Sequence, residues 1–465
     1  MQTLTQFEEL FADRLNVSLR PEKSLAYDFD NAMFHLPTKW TKSVQLNADK
    51  IPGDDELRDD AISLIQGEYK NPSGRGDLKG LPRIEMGTHS RIEDVVWKYL
   101  KVCESSIYSG AYDHVISARD KSEGERIRLI LSDQQLGKKR NAKFLSSEFD
   151  AAVTDRISRK EPIQIVLPSF PFKDQNPFRN DLPAHSIDLS EVAMLIRLHA
   201  IALALYQIYA FGVQWVIVCD GMVYSQLFGV QAAEAAGYRE ELRRWRNRLN
   251  LQQTIQIIDF EDIISKLVKP ENNNSTFWKR CDDLSKRLKD MTGTGDEDVL
   301  RKAVLTLKRG MKWNLNSKEY LAKESIPVEQ LWHILNGEDE MLSPSNTVQS
   351  VAAEVDYRAE AAAFGYLAFN LKMGRYSNGL AQTLPRALRA TVHPKPGQIA
   401  APGCSGDVYP WNGRCLVTEE NSMTMDSLQC KPLFQIAQEG HSEVICRGRD
   451  VHKGCFYLVP KSHET

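Results

Sequence analysis

Three short stretches of this 465-residue chain carry side chains suited to proton transfer and to holding an anionic ligand. The first, PSFPFKDQNPFRN over 168–180, is a proline-stiffened loop that presents Lys173, Asn176 and Arg179 as polar heads. The second, CDGMVYS over 219–225, offers a carboxylate at Asp220, a glycine that permits a sharp turn, and hydroxyls at Tyr224 and Ser225. In the third, PRALRATVHP over 385–394, a strand period of two sends Leu388, Ala390 and Val392 one way and Arg389, Thr391 and His393 the other. A guanidinium fork matches a phosphate, and an imidazole with a near-neutral pKa both donates and accepts a proton. Two further stretches flank these: GRYS over 374–377, with Arg375 and Ser377, and YPWNG over 409–413, with the flat ring of Trp411.

Each position also has a purely structural reading. Lys173 and Arg179 suit a solvated loop, Asp220 suits a cap on the following helix, and Arg375 suits the negative end of a helix dipole. The 385–394 strand equally describes a sheet with one wet face, and Trp411 equally describes core.

The elements that must position these groups read as α/β. IQIVL (163–167) is a strand that Pro168 should end, because proline lacks a ladder donor. Leu195, Leu198, Ala202, Leu205 and Tyr209 then keep helical spacing, with Ser186 or Asp188 as cap and Gly212 as terminator. VQWVIVC (213–219) and IQIIDF (255–260) are apolar runs of the kind found in doubly buried strands. Strands separated by helical crossovers pair in parallel, so the expected fold is a Rossmann-like, mostly parallel sheet flanked by helices. Ligands in such sheets sit beyond the carboxyl ends of the strands, where the first two stretches fall. IRLIL (127–131) reads as an additional short strand. Val95, Val96, Tyr99 and Leu100 mark a helix, and a later one, with Tyr357, Ala361, Phe364, Ala368 and Leu371 on its face, should run from about 350 to Gly374 or Gly379. Additional C-terminal strands follow it. The Gly- and Pro-dense run 67–83 marks a boundary, which gives an N-terminal extension or leader (1–85) and an α/β catalytic domain (86–465). The polar run 269–295, with its NNNS and TGTG, reads as an insertion or linker reaching to about 300.

Composition narrows the partners. With 42% hydrophobic and 26% charged residues and a net charge of −3, the chain has the makings of a large core and no field that attracts nucleic acid or an anionic membrane. No apolar run reads as a signal peptide or membrane span, so a cytoplasmic protein is expected. Five of the eight cysteines (Cys404, Cys415, Cys430, Cys446, Cys455) lie near His441 and His452, in spacings that match no ligand pattern. Neither a metal site nor a GxGxxG cofactor fingerprint is expected.

Taken together and in order, the segments resemble the pyoverdine/dityrosine biosynthesis family, which includes isonitrile synthases. Its FPxKSxNP loop is similar to Phe170–Pro177, and its acidic helix start to Asp188–Glu191. Its SDGxVFSDLVGV segment resembles Cys219–Val230, followed by a Tyr-Arg pair at Tyr238 and Arg239. Its RGxAYS helix end, RLSIHP strand, PWHG turn and late RGR resemble Met373–Ser377, Arg389–Pro394, Pro410–Gly413 and Arg447–Arg449. Asp174 stands where the family has serine, and Asn412 where it has histidine, which removes one titratable group.

The resemblance implies an enzyme that needs no cofactor. In its reaction the α-amine of an amino acid, aromatic in the known relatives, condenses with the ketone of ribulose 5-phosphate, and fragmentation leaves one carbon on nitrogen. It assigns phosphate to Arg389 and Arg375, phosphate or carbonyl polarisation to Lys173, proton transfer to His393, and the amine or hydroxyls to Asp220 and Ser225. Asn176, Arg179, Tyr224, Arg239, Ser377, Thr391 and Trp411 complete the expected substrate contacts. A downstream tailoring oxygenase is the partner such a product invites. An N-formyl-amino-acid-forming branch of the family, or a relative that binds without turnover, would carry the same motifs.

Overall fold

The computed structural model describes residues 118, 120–132, 147–176, 180, 182–206, 208–248, 251–267, 274–291, 298–316, 326, 328–336, 346–372, 383–391, 398–401, 409–412, 415–417, 423–427, 441–445 and 456–460. The expected boundary at 67–83, the helix around Val95 and the 1–85 extension lie outside them.

The chain enters through α1 (Glu123–Ser132) and α2 (Ser147–Arg159). It then alternates β1 (Ile163–Ser169), α3 (Leu189–Tyr206), β2 (Val213–Cys219), α4 (Gly221–Phe228), α5 (Ala232–Arg248), β3 (Ile255–Asp259) and α6 (Phe260–Leu267). A helical section follows, α7 (Asn274–Met291), α8 (Asp298–Lys312), α9 (Val328–Asn336) and α10 (Asn346–Lys372), and then β4 (Leu388–Thr391) and β5 (Ile399–Ala400). After a 3₁₀ turn at Pro410–Asn412 come β6 (Cys415–Val417), β7 (Met423–Ser427), β8 (His441–Ile445) and β9 (Phe456–Pro460).

The first five strands form one parallel sheet in the order β3-β2-β1-β4-β5, and the last four form a second sheet, β7-β6-β9-β8. The parallel Rossmann-like expectation and the C-terminal strands are therefore both present. Strand order defines the site. The chain grows from β1 outward through β2 to β3, then returns to the other side of β1 as β4. The switch point of the sheet thus lies between β1 and β4, and the crevice beyond their carboxyl ends is where such sheets bind ligands.

Both faces are covered. Ile165, Leu167, Trp215, Ile217, Ile257, Leu388 and Ala390 pack with α3 and α5 on one side, while Val166, Val216 and Val218 meet Phe260, Ile263 and Phe369 of α6 and α10 on the other. The apolar runs in β1 and β2 follow from this double burial.

Several expectations need correcting. IRLIL is not a strand but the middle of α1. Ser122 Oγ and N donate to Glu125 Oε2 at 2.7 and 2.9 Å, and the Glu125 amide returns to Ser122 Oγ at 3.3 Å, a capping box that starts the helix. Ile127, Ile130 and Leu131 are then buried at helical spacing. Pro168 does not end β1: it lies opposite Val218, beyond Ile165 and Val166, the two β1 residues that pair with β4. At that point β2 is the one ladder partner of β1 among the described residues, which makes the missing donor tolerable. Helix α3 ends at Tyr206, before Gly212; the glycine sits at φ +76°, and a Cβ there would lie 1.9 Å from the Tyr206 ring. Within 269–295 the chain forms α7, where Phe277, Trp278, Cys281, Leu284 and Leu288 recur at helical spacing under a polar composition. On α10, Phe364 and Ala368 are buried as expected, whereas Tyr357 and Ala361 face solvent and Val351, Val355, Ala359 and Ala362 complete the buried stripe.

Candidate functional site

Three chain segments converge at the carboxyl edge of the sheet. β1 delivers the loop from Phe170, β2 delivers Asp220, and β4 delivers Arg389 and Thr391. Because Val166 is level with Arg389 and Pro168 with Val218, Arg389 and Thr391 share a sheet face with Val166 and Val218. The expected alternation holds within the described strand: Leu388 and Ala390 are buried, Arg389 and Thr391 half-buried. Strands about 4.8 Å apart put Val218 and Thr391, one strand removed from each other, about 10 Å apart. That separation is comparable to the length of an extended pentulose phosphate.

The β1 loop and the Asp220 turn touch directly. A Cβ on Gly221 would lie 2.2 Å from the Pro171 carbonyl oxygen and 3.2 Å from Ala235 Cβ, so only glycine admits this approach. Gly221→Ala should therefore cost about 1–3 kcal/mol, since a backbone oxygen cannot give way as a side-chain tip can. Urea denaturation checks this, and an unchanged midpoint would mean that the contact is looser than drawn.

Asp220 occupies the N-cap position of α4, yet its side chain makes no capping bond. Its Oδ1 is shielded from solvent and has no hydrogen-bond partner, while the residue as a whole stays half-buried. Burial, opposed only by a hydrogen bond from the residue's own backbone, pushes the carboxyl up to about 7. The capping role is thus vacant, and a group that exchanges protons near neutral pH stands at the crevice.

Lys173 has a different environment from either reading of the sequence. It is fully buried, and its ammonium donates to Glu191 Oε1 at 2.9 Å, to Glu191 Oε2 at 3.0 Å and to the Pro410 carbonyl at 2.8 Å. All three donors are engaged inside the protein, which leaves none for a phosphate. Glu191 also accepts from Tyr238 Oη at 3.0 Å, from the Asp188 amide at 2.9 Å and from Ser190 Oγ at 3.3 Å. Burial raises the Glu191 carboxyl and the Lys173 ammonium opposes it; burial and Glu191 together push the Tyr238 hydroxyl well up.

Asp174, Gln175, Asn176 and Asn180 of the same loop form a buried polar knot rather than a solvated turn. Asn176 Nδ2 donates to the Trp313 carbonyl at 2.6 Å, Asn180 Nδ2 to the Asp174 carbonyl at 2.7 Å, and Gln175 Nε2 to three loop carbonyls. Phe170 holds φ +56°, a strained value for a bulky residue, while fully buried with its ring 5.0 Å from that of Trp411.

Of the other expected contacts, Tyr224 is half-buried, stacked on Phe228 at 5.5 Å and Tyr366 at 6.3 Å, one helical turn beyond Asp220. Ser225 is buried and donates to the Met222 carbonyl at 3.1 Å, inside its own helix. Arg239 Nε lies 3.0 Å from Asp259 Oδ1, beside Arg243 at 2.7 Å, at the end of β3. That places it on the α5 face of the sheet, away from Arg389. Trp411 is 7% exposed, packed against Phe170 and Tyr409, and so forms a wall rather than an open platform. Arg179, Arg375, Ser377 and His393 lie outside the described residues, as do Cys404, Cys430, Cys446, Cys455 and His452. Among the described residues, no cluster of three His, Cys, Asp or Glu could hold a metal, and no helix is long and apolar enough to cross a membrane.

Glu191 and Tyr238 entered the sequence reading only as parts of motifs. The signal for Glu191 was present in the Asp188-x-x-Glu191 capping box: the Ser190 amide donates to Asp188 Oδ1 at 3.0 Å and the Asp188 amide to Glu191.

A family model described as pyoverdine/dityrosine biosynthesis protein matches residues 153–429, from within α2 to the end of β7. The L-tyrosine isonitrile synthase of Pseudomonas aeruginosa is 24% identical over 277 residues, 58% of this chain and 74% of that protein. Isocyanide synthase A of Aspergillus fumigatus is 35% identical over 114 residues, 23% of this chain and 18% of that one. An L-tryptophan isonitrile synthase of Fischerella ambigua is 27% identical over 150 residues, 30% and 46% of the two chains. This chain therefore spans less than half the length of the fungal and Fischerella relatives that it matches.

Proposed function

The chain belongs to the pyoverdine/dityrosine biosynthesis protein family, and from that premise we propose that it is an isonitrile synthase acting on an aromatic amino acid, with ribulose 5-phosphate as the one-carbon source. The observation that carries the reading is the buried, unpartnered Oδ1 of Asp220 at the carboxyl edge of the sheet, one strand from the switch point. Imine formation needs a neutral amine nucleophile, and a carboxylate whose pKa lies near 7 can take the proton from an ammonium that it has just bound. Tyr224, one turn along the same helix, belongs to a stack with Phe228 and Tyr366 that gives the substrate's ring an aromatic neighbour near Asp220. Named relatives that act on L-tyrosine and L-tryptophan support the same substrate class.

Arg389 takes the phosphate in this reading, and Thr391 a sugar hydroxyl, from the adjoining strand edge. Arg375 and His393 keep the roles that the family resemblance gives them, a second phosphate contact and proton transfer. Cleavage of the sugar moves electron density onto oxygens that must be protonated in turn, so a shuttle beside Asp220 is required.

The reading is tested by mixing the protein with L-tyrosine or L-tryptophan and ribulose 5-phosphate. An isonitrile stretch in the infrared, with the matching product mass, is the expected result. A formamide mass assigns the chain to the N-formyl branch, and no product from any aromatic amino acid refutes the reading. Arg389→Ala should raise the KM for the sugar phosphate about ten-fold or more, while the KM for the amino acid moves little. Equal changes in both would remove Arg389 from the phosphate.

A further inference from the structure

We propose that Lys173 and Glu191 are a positioning pair: they clamp the Tyr409–Asn412 turn onto the loop that follows β1, and through that loop hold the Asp220 turn in place without touching substrate. The proposal rests on the isonitrile-synthase reading for its activity assay, and on geometry alone for its structural part.

The clamp joins four parts of the chain that are distant in sequence. Lys173 comes from the β1 loop, Glu191 from the first turn of α3, Tyr238 from the middle of α5 and the Pro410 carbonyl from the 3₁₀ turn. The Pro410 carbonyl also accepts from Ser190 Oγ at 3.3 Å, and the next carbonyl, Trp411, accepts from the Asp174 amide at 2.8 Å. These bonds, with the Phe170–Trp411 ring contact, attach the turn to the loop at three points and to α3 at a fourth. The loop is fixed in turn against α4, because Phe170 and Pro171 precede the clamp directly and the Pro171 carbonyl abuts Gly221, next to Asp220.

Such a clamp explains two otherwise costly features. Phe170 stays at positive φ only if its surroundings over-determine it, and bonds on the loop side together with Trp411 on the other side do so. An ion pair buried from solvent is a poor source of stability compared with apolar residues of like size, so its value here lies in geometry. An acid–base group displaced by an ångström loses much of its effect, which links the clamp to turnover.

The test uses the full chain and the double variant Lys173→Met/Glu191→Gln. Neutralising both partners leaves no unpaired charge, so the melting temperature should stay near that of the wild type. A methionine cannot bind the Pro410 carbonyl. Amide exchange at Asp174 and Asn412, whose N–H groups donate to Trp411 and Tyr409 carbonyls, should therefore quicken by about ten-fold or more. kcat should fall about ten-fold or more, with the KM for ribulose 5-phosphate within about two-fold of the wild type. A folded double variant with full kcat and unchanged exchange overturns the proposal. So does a ten-fold rise in that KM at constant kcat, which would make Lys173 a ligand contact. If the double variant does not fold, Tyr238→Phe removes one bond to Glu191 and leaves the ion pair; a fall in kcat of about three-fold at constant KM is expected, and no change refutes the clamp. A wild-type protein without turnover would refute the isonitrile reading, while the exchange measurement would still decide the clamp.

Discussion

Asp220→Asn is expected to leave the fold intact and to reduce kcat/KM by about 10²–10⁴-fold, the range that a positioned acid–base group contributes. The wild-type kcat/KM should rise with pH through an ionisation near 7, as the carboxyl becomes the base, and that ionisation should vanish in the variant. Stability should move in the opposite direction. Because burial raises the folded-state pKa from 3.8 to about 7, the neutral carboxyl is the form that folding prefers. The group's stabilising contribution is whole below pH 3.8 and is lost as pH climbs through about 7. An amide carries no such penalty. The melting temperature of Asp220→Asn relative to the wild type should thus increase from acid to neutral pH and level off above it. A variant that is less stable at pH 8 than the wild type would show that the carboxylate has a partner in solution.

Glu191→Gln alone should be the most damaging single change to stability in this region, at about 3–5 kcal/mol, because it strands the Lys173 ammonium among groups fully screened from water. Set against a typical total of about 5–15 kcal/mol, that is enough to unfold a large share of the molecules. The reverse substitution, Lys173→Met, is expected to be milder at low pH, since a carboxyl already raised by burial can take up a proton and become neutral. Urea unfolding of the two variants at pH 5.5 and 8 separates them. Equal losses at both pH values would mean that the pair is not held as an ion pair.

How far the sequence could be read depended on whether local chemistry or distant packing decided each feature. β2 was legible because Val213–Cys219 is apolar enough for only one environment, a central strand covered on both faces. Strand β4 was legible from its alternation, which survives burial as a buried and half-buried pattern. Helix α1 was misread since IRLIL satisfies strand composition, and the decisive signal, Ser122 with Glu125, lay upstream of the window. Helix α7 was hidden for a related reason: its apolar residues are diluted by charged ones that face solvent.

The site was legible in its segments and not in its contacts. Three stretches do reach one sheet edge, but nothing in the spacing of Lys173, Glu191, Tyr238 and Pro410 reveals that they meet, because their separations along the chain are set by intervening crossovers. Lys173 was weighed as a solvated or a substrate-facing side chain; burial with a full set of partners was the third possibility that only tertiary contact discloses. Asp220 was weighed as a cap, and the structure gives it the cap position without the cap bond.

The central claim is that the loop after β1, the Asp220 turn and the β4 edge enclose one crevice at the switch point of the sheet. A crystal structure of the protein soaked with L-tyrosine and a pentulose phosphate that lacks the reactive ketone tests it most directly. The account predicts the phosphate within hydrogen-bond reach of Arg389 and the amine within reach of Asp220. Both ligands bound at the second, four-stranded sheet, or at the Arg239–Asp259 cluster on the opposite face, would contradict it.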